Sequence, residues 1–214
     1  MKKDYLLAII AGIFTALFLL PTFKNITILE GALAFLPIVL IPLLWVIGLS
    51  ITKFLVRWVS FAYQFGKFIV VGFLNSSLDF GILNALSIFT GLTSGFFIGG
   101  VNIPGVILAT TNSYFWNKFW VFRKNGEPRS TDYSDFFSFI PVVIISIFIN
   151  GGIIILITTY VSPFWNLSPE RWLNVAKVIA TSVSLFWNFL AFKFFVFKSK
   201  KNASTISKIQ TEEV

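Results

Sequence analysis

The sequence predicts an all-α integral membrane protein of six transmembrane helices, the last four arranged as two parallel-repeat two-helix hairpins, with an amphipathic helix lying in the cytoplasmic headgroup layer. Three observations predict it. The first is composition: 56% of the residues are hydrophobic and 12% charged, with a mean hydropathy of +0.83. That apolar share exceeds the roughly 45–50% of a soluble domain, and so few charges cannot cover a soluble surface that also carries 27 Phe and seven Trp. The second is a series of apolar runs that end in basic residues, and the third is that two of these endings resemble each other. NSYFWNKFWVFRK from Asn112 to Lys124 and WNFLAFKFFVFK from Trp187 to Lys198 place Lys118 over Lys193, Val121 over Val196, Phe122 over Phe197 and Arg123 over Lys198 at one offset.

Composition also removes function classes. With no Cys and no His, disulfides, thiol nucleophiles, imidazole bases and the usual zinc and haem ligands are absent, and no cofactor or metal is expected. The net charge of +8 sits beside the ends of apolar segments instead of in a separate soluble domain, so it reads as membrane topology and not as a nucleic-acid surface.

The first apolar run, Tyr5–Leu20, follows Lys2-Lys3-Asp4 and is closed by Pro21. A signal peptide has this start, but no small-x-small cleavage site follows, which favours a signal-anchor. A turn over Thr22–Thr27 leads to the second run, Ile28–Ile51, with Glu30 near its start and Pro37 and Pro42 inside; the prolines imply a kinked span or a re-entrant hairpin. Lys53, Arg57, Ser60, Gln64 and Lys67 then recur at helical spacing opposite Phe54, Leu55, Trp58, Val59, Phe61, Ala62 and Phe65. That pattern fits the interfacial helix, or else a connector that happens to be amphipathic.

The third run, Phe68–Phe89, holds Asp79, with Asn75 and Ser76 on the same face and Asn84 close by. A carboxylate at mid-bilayer costs on the order of 3 kcal/mol, so Asp79 is expected to face the bundle and to be functional, or else to join polar glue between helices. A Gly-rich outer loop, Thr90–Gly100, precedes the fourth run, Val101–Phe122, with Pro104 in its first turn. A polar cytoplasmic loop, Arg123–Asp135, leads to the fifth run, Phe136–Tyr160, interrupted by Asn150-Gly151-Gly152. After an outer loop, Ser168-Pro169-Glu170 supplies a cap, a first-turn proline and a dipole-matched acid for the sixth run, Leu173–Phe197. The implied divisions are an N-terminal helix pair at 1–52, the interfacial linker at 53–67, a four-helix domain at 68–198 and a disordered cytoplasmic tail at 199–214.

Six spans with both termini inside put fourteen Lys and Arg on the cytoplasmic side and leave only Lys24, Arg171 and Lys177 outside. That asymmetry orients the chain in the cytoplasmic membrane. The repeat extends beyond the belts: with one offset Phe65 lies on Phe136, Phe68 on Phe139, Val71 on Val142, Asp79 on Asn150 and Gly81 on Gly152. Units of two spans share one orientation, so the pseudo-symmetry axis runs along the membrane normal.

The pattern FxxVGxxNxxxDxxxxxxL, carried by Phe68, Val71, Gly72, Asn75, Asp79 and Leu86, resembles the GtrA-like family, as do the spans ending NSYFWNKFWVFR and WNFLAFKFFVFK. The resemblance covers about Tyr63–Lys198; the pair before it lies outside the family's four-helix unit, and Phe192 stands where the first belt has Asn117. It implies a protein that moves a polyprenyl-phosphate-linked sugar from the inner to the outer leaflet, for glycosylation of a cell-surface polymer. On that reading Lys118, Arg123, Lys193 and Lys198 clamp the lipid phosphate, and Asn75, Asp79, Asn84, Asn112, Asn117, Asn150 and Asn188 hydrogen-bond sugar hydroxyls along an intramembrane path. Trp116, Trp120 and Trp187 stack on the sugar or prenyl chain, although each Lys, Arg and Trp is also what an interface anchor looks like.

Partners are the polyprenyl-phosphate sugar and membrane lipids, with a membrane glycosyltransferase and a second copy of the chain as further candidates. Two rivals remain: an adaptor that recruits or stabilises a glycosyltransferase, with residues 1–67 as docking surface, and a small exporter with Asp79 as its proton-coupled carboxylate. An enzyme is disfavoured, since one intramembrane carboxylate without a second acid, base or metal forms no acid–base pair.

Overall fold

The computed structural model describes residues 2–26, 33, 35–121 and 134–191, without the side chains at 134–139, 185 and 188–191. Among the described residues six long α-helices carry the fold: α1 Lys2–Ile26, α2 Pro37–Leu55, α3 Ala62–Thr90, α4 Phe96–Trp116, α5 Ser134–Tyr160 and α6 Pro169–Ala191. A π-helical turn, Asn117–Val121, extends α4, and a short 3-10 turn, Phe164–Asn166, precedes α6. Successive helices alternate in direction. Tyr5 meets Ser50, Gly66 lies against Thr52, Asn75 meets Asn112, Asn102 meets Asn150 and Asn150 meets Ser184, which with the short connections sets each helix antiparallel to the next. One end of the bundle thus collects Lys67 and Lys118, the belt end, and the other collects the loops around Gly91 and Ser168, the far end.

Among the described residues four helices, Lys2–Ile26, Pro37–Leu55, Ala62–Thr90 and Ile140–Tyr160, are long and apolar enough to cross a membrane. The protein is a membrane protein with several apolar helices. At 1.5 Å per residue the 21 residues of α4 and the 23 of α6 are also about 30 Å long, but they carry Asn102, Asn112, Asn174 and Lys177, which lower their hydropathy. Their outward surfaces remain apolar: Phe96, Phe97, Leu108, Val178, Val183 and Phe186 are exposed.

Several boundaries depart from the expectations, and each departure has a packing cause. Pro21 does not close the first helix, because Thr22 and Asn25 in the turn beyond it are held by Asn84 of α3. The lost backbone bond is tolerated where a neighbouring helix fixes the turn. The second helix starts at Pro37, where a proline suits the first turn, so only Pro42 lies inside. The interfacial helix does not form as a unit: α2 runs on to Leu55 and α3 starts at Ala62, so residues 53–67 are two helix ends joined by a tight turn. Within that turn the Arg57 guanidinium lies 3.6 Å from the Phe54 ring centre.

The fourth helix opens at Phe96, not Val101, after Gly95 at φ 80°, whose N–H donates to Thr159 Oγ1 at 2.9 Å. Pro104 is consequently inside the helix. Asn150-Gly151-Gly152 does not break α5. Gly151 instead faces Gly99, and a Cβ on Gly151 would stand 3.8 Å from the Gly99 carbonyl, so the pair brings two backbones together. Ser168 caps α6 as expected, its Oγ accepting from the Arg171 N–H at 3.4 Å.

Close approaches fix the rest. A Cβ on Gly12 would lie 2.5 Å from the Pro42 Cα, and one on Gly81 would fall on the Phe18 carbonyl. Two apolar cores result. The one nearer the belt end joins Ala8, Ala11, Leu49, Val70, Val71, Leu74, Trp120 and Val121; the one nearer the far end joins Leu83, Ile98, Ile154, Leu173 and Ala180. Between them lies a polar centre.

Candidate functional site

Asp79 leaves α3 into the bundle and is 6% exposed. Its Oδ2 meets Lys177 Nζ of α6 at 2.6 Å, and Lys177 is wholly buried. The same ammonium donates to Asn102 Oδ1 of α4 at 2.6 Å and Asn150 Oδ1 of α5 at 3.0 Å. Three protons thus reach three acceptors, one on each of three helices. Asn102 Nδ2 donates to Asn150 Oδ1 at 2.9 Å, and Asn150 Nδ2 to Ser184 Oγ at 3.2 Å. Asp79 Oδ1 is buried without a hydrogen-bond partner among the described residues and lies against Gly105, where a Cβ would come within 2.7 Å of it.

Amide pairs continue the polar line in both directions. Toward the belt end Asn112 Nδ2 donates to Asn75 Oδ1 at 2.7 Å. Toward the far end Asn84 and Asn174 pair reciprocally at 2.8 Å each way, and Asn25 Nδ2 donates to Asn84 Oδ1 at 2.7 Å. There the line opens near a cavity of about 460 Å³ lined by Lys24, Asn25, Ile88, Ser168, Glu170 and Arg171. Three clusters of side-chain hydrogen bonds therefore stand one above another along the middle of the bundle, and apart from Asp79 Oδ1 the atoms named satisfy one another within each cluster.

At the belt end Lys118 Nζ bonds Tyr114 Oη at 3.1 Å and lies 5.4 Å from that ring's centre. Asp4 of α1 pairs with Lys67 of α3 at 2.7 Å and accepts from Trp120 Nε1 at 3.0 Å. Lys67 also lies 4.8 Å from the Tyr63 ring centre.

The expected path residues Asn75, Asp79, Asn84, Asn112 and Asn150 are brought into one column. Asn117 is not: its Nδ2 turns back to the Ser113 carbonyl and hydroxyl at 2.9 and 3.1 Å. Trp120 is 4% exposed and committed to Asp4, so its ring has no open face for a sugar; Trp116 packs beside it with centroids 5.5 Å apart. Trp187 is half-buried. Arg123, Lys193 and Lys198, the Asn188 side chain, Glu30 and residues 199–214 lie outside what the structure describes.

Lys177 is the main correction. The charge count places it outside the membrane, and the structure places it in the middle of the bundle as the partner of Asp79. The signal was present: an ammonium well inside an apolar run needs a counter-charge, and Asp79 is the one carboxylate in a comparable position. The aligned copies point the same way, because Asn102 and Lys177 are separated by the same interval as Lys118 and Lys193, and Asp79 aligns with Asn150. Asn102, Asn174 and Asn25 also escaped the sequence reading, as isolated amides in apolar runs have no spacing rule to reveal them.

Fold and centre together define a class: a small helical membrane protein built around stacked polar clusters in its interior, with a single buried charge pair among the described residues. Residues 67–207 match the sequence model of the GtrA/DPMS transmembrane domain, and the chain belongs to that family. The match covers α3 to α6 and leaves α1 and α2 outside it. Neither the curated proteins nor the solved structures contain a match to the chain. Membership associates the protein with the handling of glycosyl lipids, and the family is typically non-enzymatic.

Proposed function

We propose that the protein translocates a polyprenyl-phosphate-linked monosaccharide across the cytoplasmic membrane, inner to outer leaflet, for glycosylation of a cell-surface polysaccharide. The observation that carries this reading is the column from Asn112 and Asn75 through Asp79, Lys177, Asn102 and Asn150 to Asn84 and Asn174. A column offers, at each level, amide donors and acceptors that can exchange their mutual bonds for bonds to sugar hydroxyls while the prenyl chain stays in lipid.

In this reading all six helices cross the membrane, with both termini cytoplasmic and the two halves related by an axis along the membrane normal. With Lys177 inside the bundle, only Lys24 and Arg171 remain as outer basic residues, which strengthens the orientation. The belt end then faces the anionic inner leaflet. Lys118, with Arg123, Lys193 and Lys198 from the two belts, receives the lipid phosphate there, and Trp116 and Trp187 border the entry. A glycosyltransferase acting at the outer leaflet is the partner this reading implies.

The test is surface-polymer glycosylation in cells carrying Lys118→Ala or Asp79→Ala. Each should abolish it while membrane levels of the Lys118 variant stay normal. Unchanged glycosylation in both variants overturns the proposal.

A further inference from the structure

Lys177 poses a question that translocation in general does not answer. A buried ion pair is weak evidence of stability, because well-packed apolar residues of similar volume often do as well or better. Retaining one therefore asks for a role. Among the described residues Lys177 is the one cation in the interior of the bundle, the other described cations lying toward its ends or in the turn between α2 and α3. A phosphate headgroup crossing beside the polar column meets no other described positive charge between the two ends.

The geometry at Asp79 is that of a loosely seated anion. Oδ2 has a single partner, Lys177, and Oδ1 has none among the described residues. A carboxylate held for structure alone is normally saturated, since it offers about four acceptor sites. The other two acceptors on Lys177 are neutral and firmly tied, Asn102 to Asn150 and Asn150 to Ser184. If Asp79 turns away, the ammonium stays in place on two amide oxygens with one proton directed at the vacated position. Gly105 lies close beside Oδ1, where a Cβ would come within 2.7 Å of it, and being glycine it offers that oxygen no side-chain donor.

We infer that Asp79 is a resident counter-ion occupying the place that the phosphate of the carrier lipid takes during transit. A phosphate oxygen replaces Asp79 Oδ2 on Lys177 Nζ; when the phosphate moves on, Asp79 returns and the centre is again neutral and closed. This deepens the translocation reading and rests on it for the direction of movement, while the site itself is a phosphate site competed for by an internal carboxylate.

Competition gives the experiment an unusual sign. The full chain in lipid nanodiscs is titrated with geranylgeranyl phosphate, and with geranylgeraniol as the uncharged control. Asp79→Asn removes the competing charge at constant size, and it should bind the phosphate tighter on the order of tenfold, within the range by which one ligand antagonises another. Its binding of the alcohol should not change, and its translocation of a fluorescent prenyl-phosphate sugar in proteoliposomes should slow, because nothing displaces the phosphate afterwards.

The second variant, Asp79→Leu with Lys177→Met, exchanges the whole pair for apolar residues and should melt no lower than the parent protein. It should bind the phosphate more weakly than the parent and translocate nothing. Equal or weaker phosphate binding by Asp79→Asn overturns the inference, as does parental translocation by the double variant; either result leaves translocation itself standing. Tighter phosphate binding by Asp79→Asn in a protein that translocates nothing even in its parental form supports the site and overturns the translocation reading instead.

Discussion

Asp79–Lys177 and Asp4–Lys67 are the same chemical pair at nearly the same distance, 2.6 and 2.7 Å, in two different solvents. At the centre the lysine side chain has no exposure and the aspartate side chain 9%; at the belt end the figures are 12% and 20%. The central pair has given up hydration on both ions, so each depends on the other and on Asn102 and Asn150. The belt-end pair keeps contact with its surroundings and shares its load with Trp120 and the Tyr63 ring. Identical contacts therefore carry different consequences. The central pair should be unforgiving toward loss of the lysine, on which Asp79 wholly depends, and tolerant of loss of both members, and the outer pair graded in every respect.

The largest effect should come from Lys177→Met alone. It strands Asp79 in the bundle, where removing one partner of a buried pair costs about 3–5 kcal/mol. The variant should accumulate poorly in the membrane or melt far below the parent, and adding Asp79→Leu should restore both. Fluorescence-detected gel filtration over a temperature series reads the difference. A single variant as stable as the double one would mean that the two residues are not coupled.

A smaller effect, and one that separates the two regions, is expected from Gly81→Ala. The new methyl falls on the Phe18 carbonyl, so α1 must move off α3, at a cost of about 1–3 kcal/mol. Gly72→Ala in the same helix meets nothing within 4 Å and serves as the control. The shift of α1 should loosen Asp4 from Lys67 and Asn25 from Asn84, but leave Asp79, Lys177, Asn102 and Asn150 together, since none of these four stands on α1. Thermal melting should drop for Gly81→Ala and not for Gly72→Ala, with prenyl-phosphate binding kept in both.

What could be read beforehand divides along the same line. The helical class, the helices containing Asp79 and Asn150, the Ser168-Pro169 start of α6 and the burial of Asp79 follow from local signals: apolar length, a cap, a lone carboxylate. Pro21, Pro104 and the Gly151-Gly152 pair misled because their effect depends on neighbours. Thr22 and Asn25 are fixed by α3, and Gly151 is matched to Gly99 across a helix contact. The 53–67 stripe has helical spacing, but the chain turns within it, and spacing alone does not reveal a turn. Lys177 was hidden for a different reason. The rule that sorts Lys and Arg by side of the membrane presumes that they lie in loops or at helix ends, and a lysine with a buried counter-ion obeys another energetics.

The smallest effect should be that of Asp4→Asn. The amide can still accept from Lys67 and from Trp120, so what it removes is charge alone, and for a partly exposed pair that is about 0.2–1 kcal/mol. The informative quantity is the dependence on salt. Screening reaches a pair in contact with its surroundings and hardly touches one sealed in the bundle. In the parent protein raising ionic strength should lower the melting temperature slightly, and in Asp4→Asn that slope should shrink, whereas in the Asp79→Leu, Lys177→Met double variant it should match the parent. A salt slope that vanished with the central pair and persisted without Asp4 would reverse the assignment of which pair is sealed.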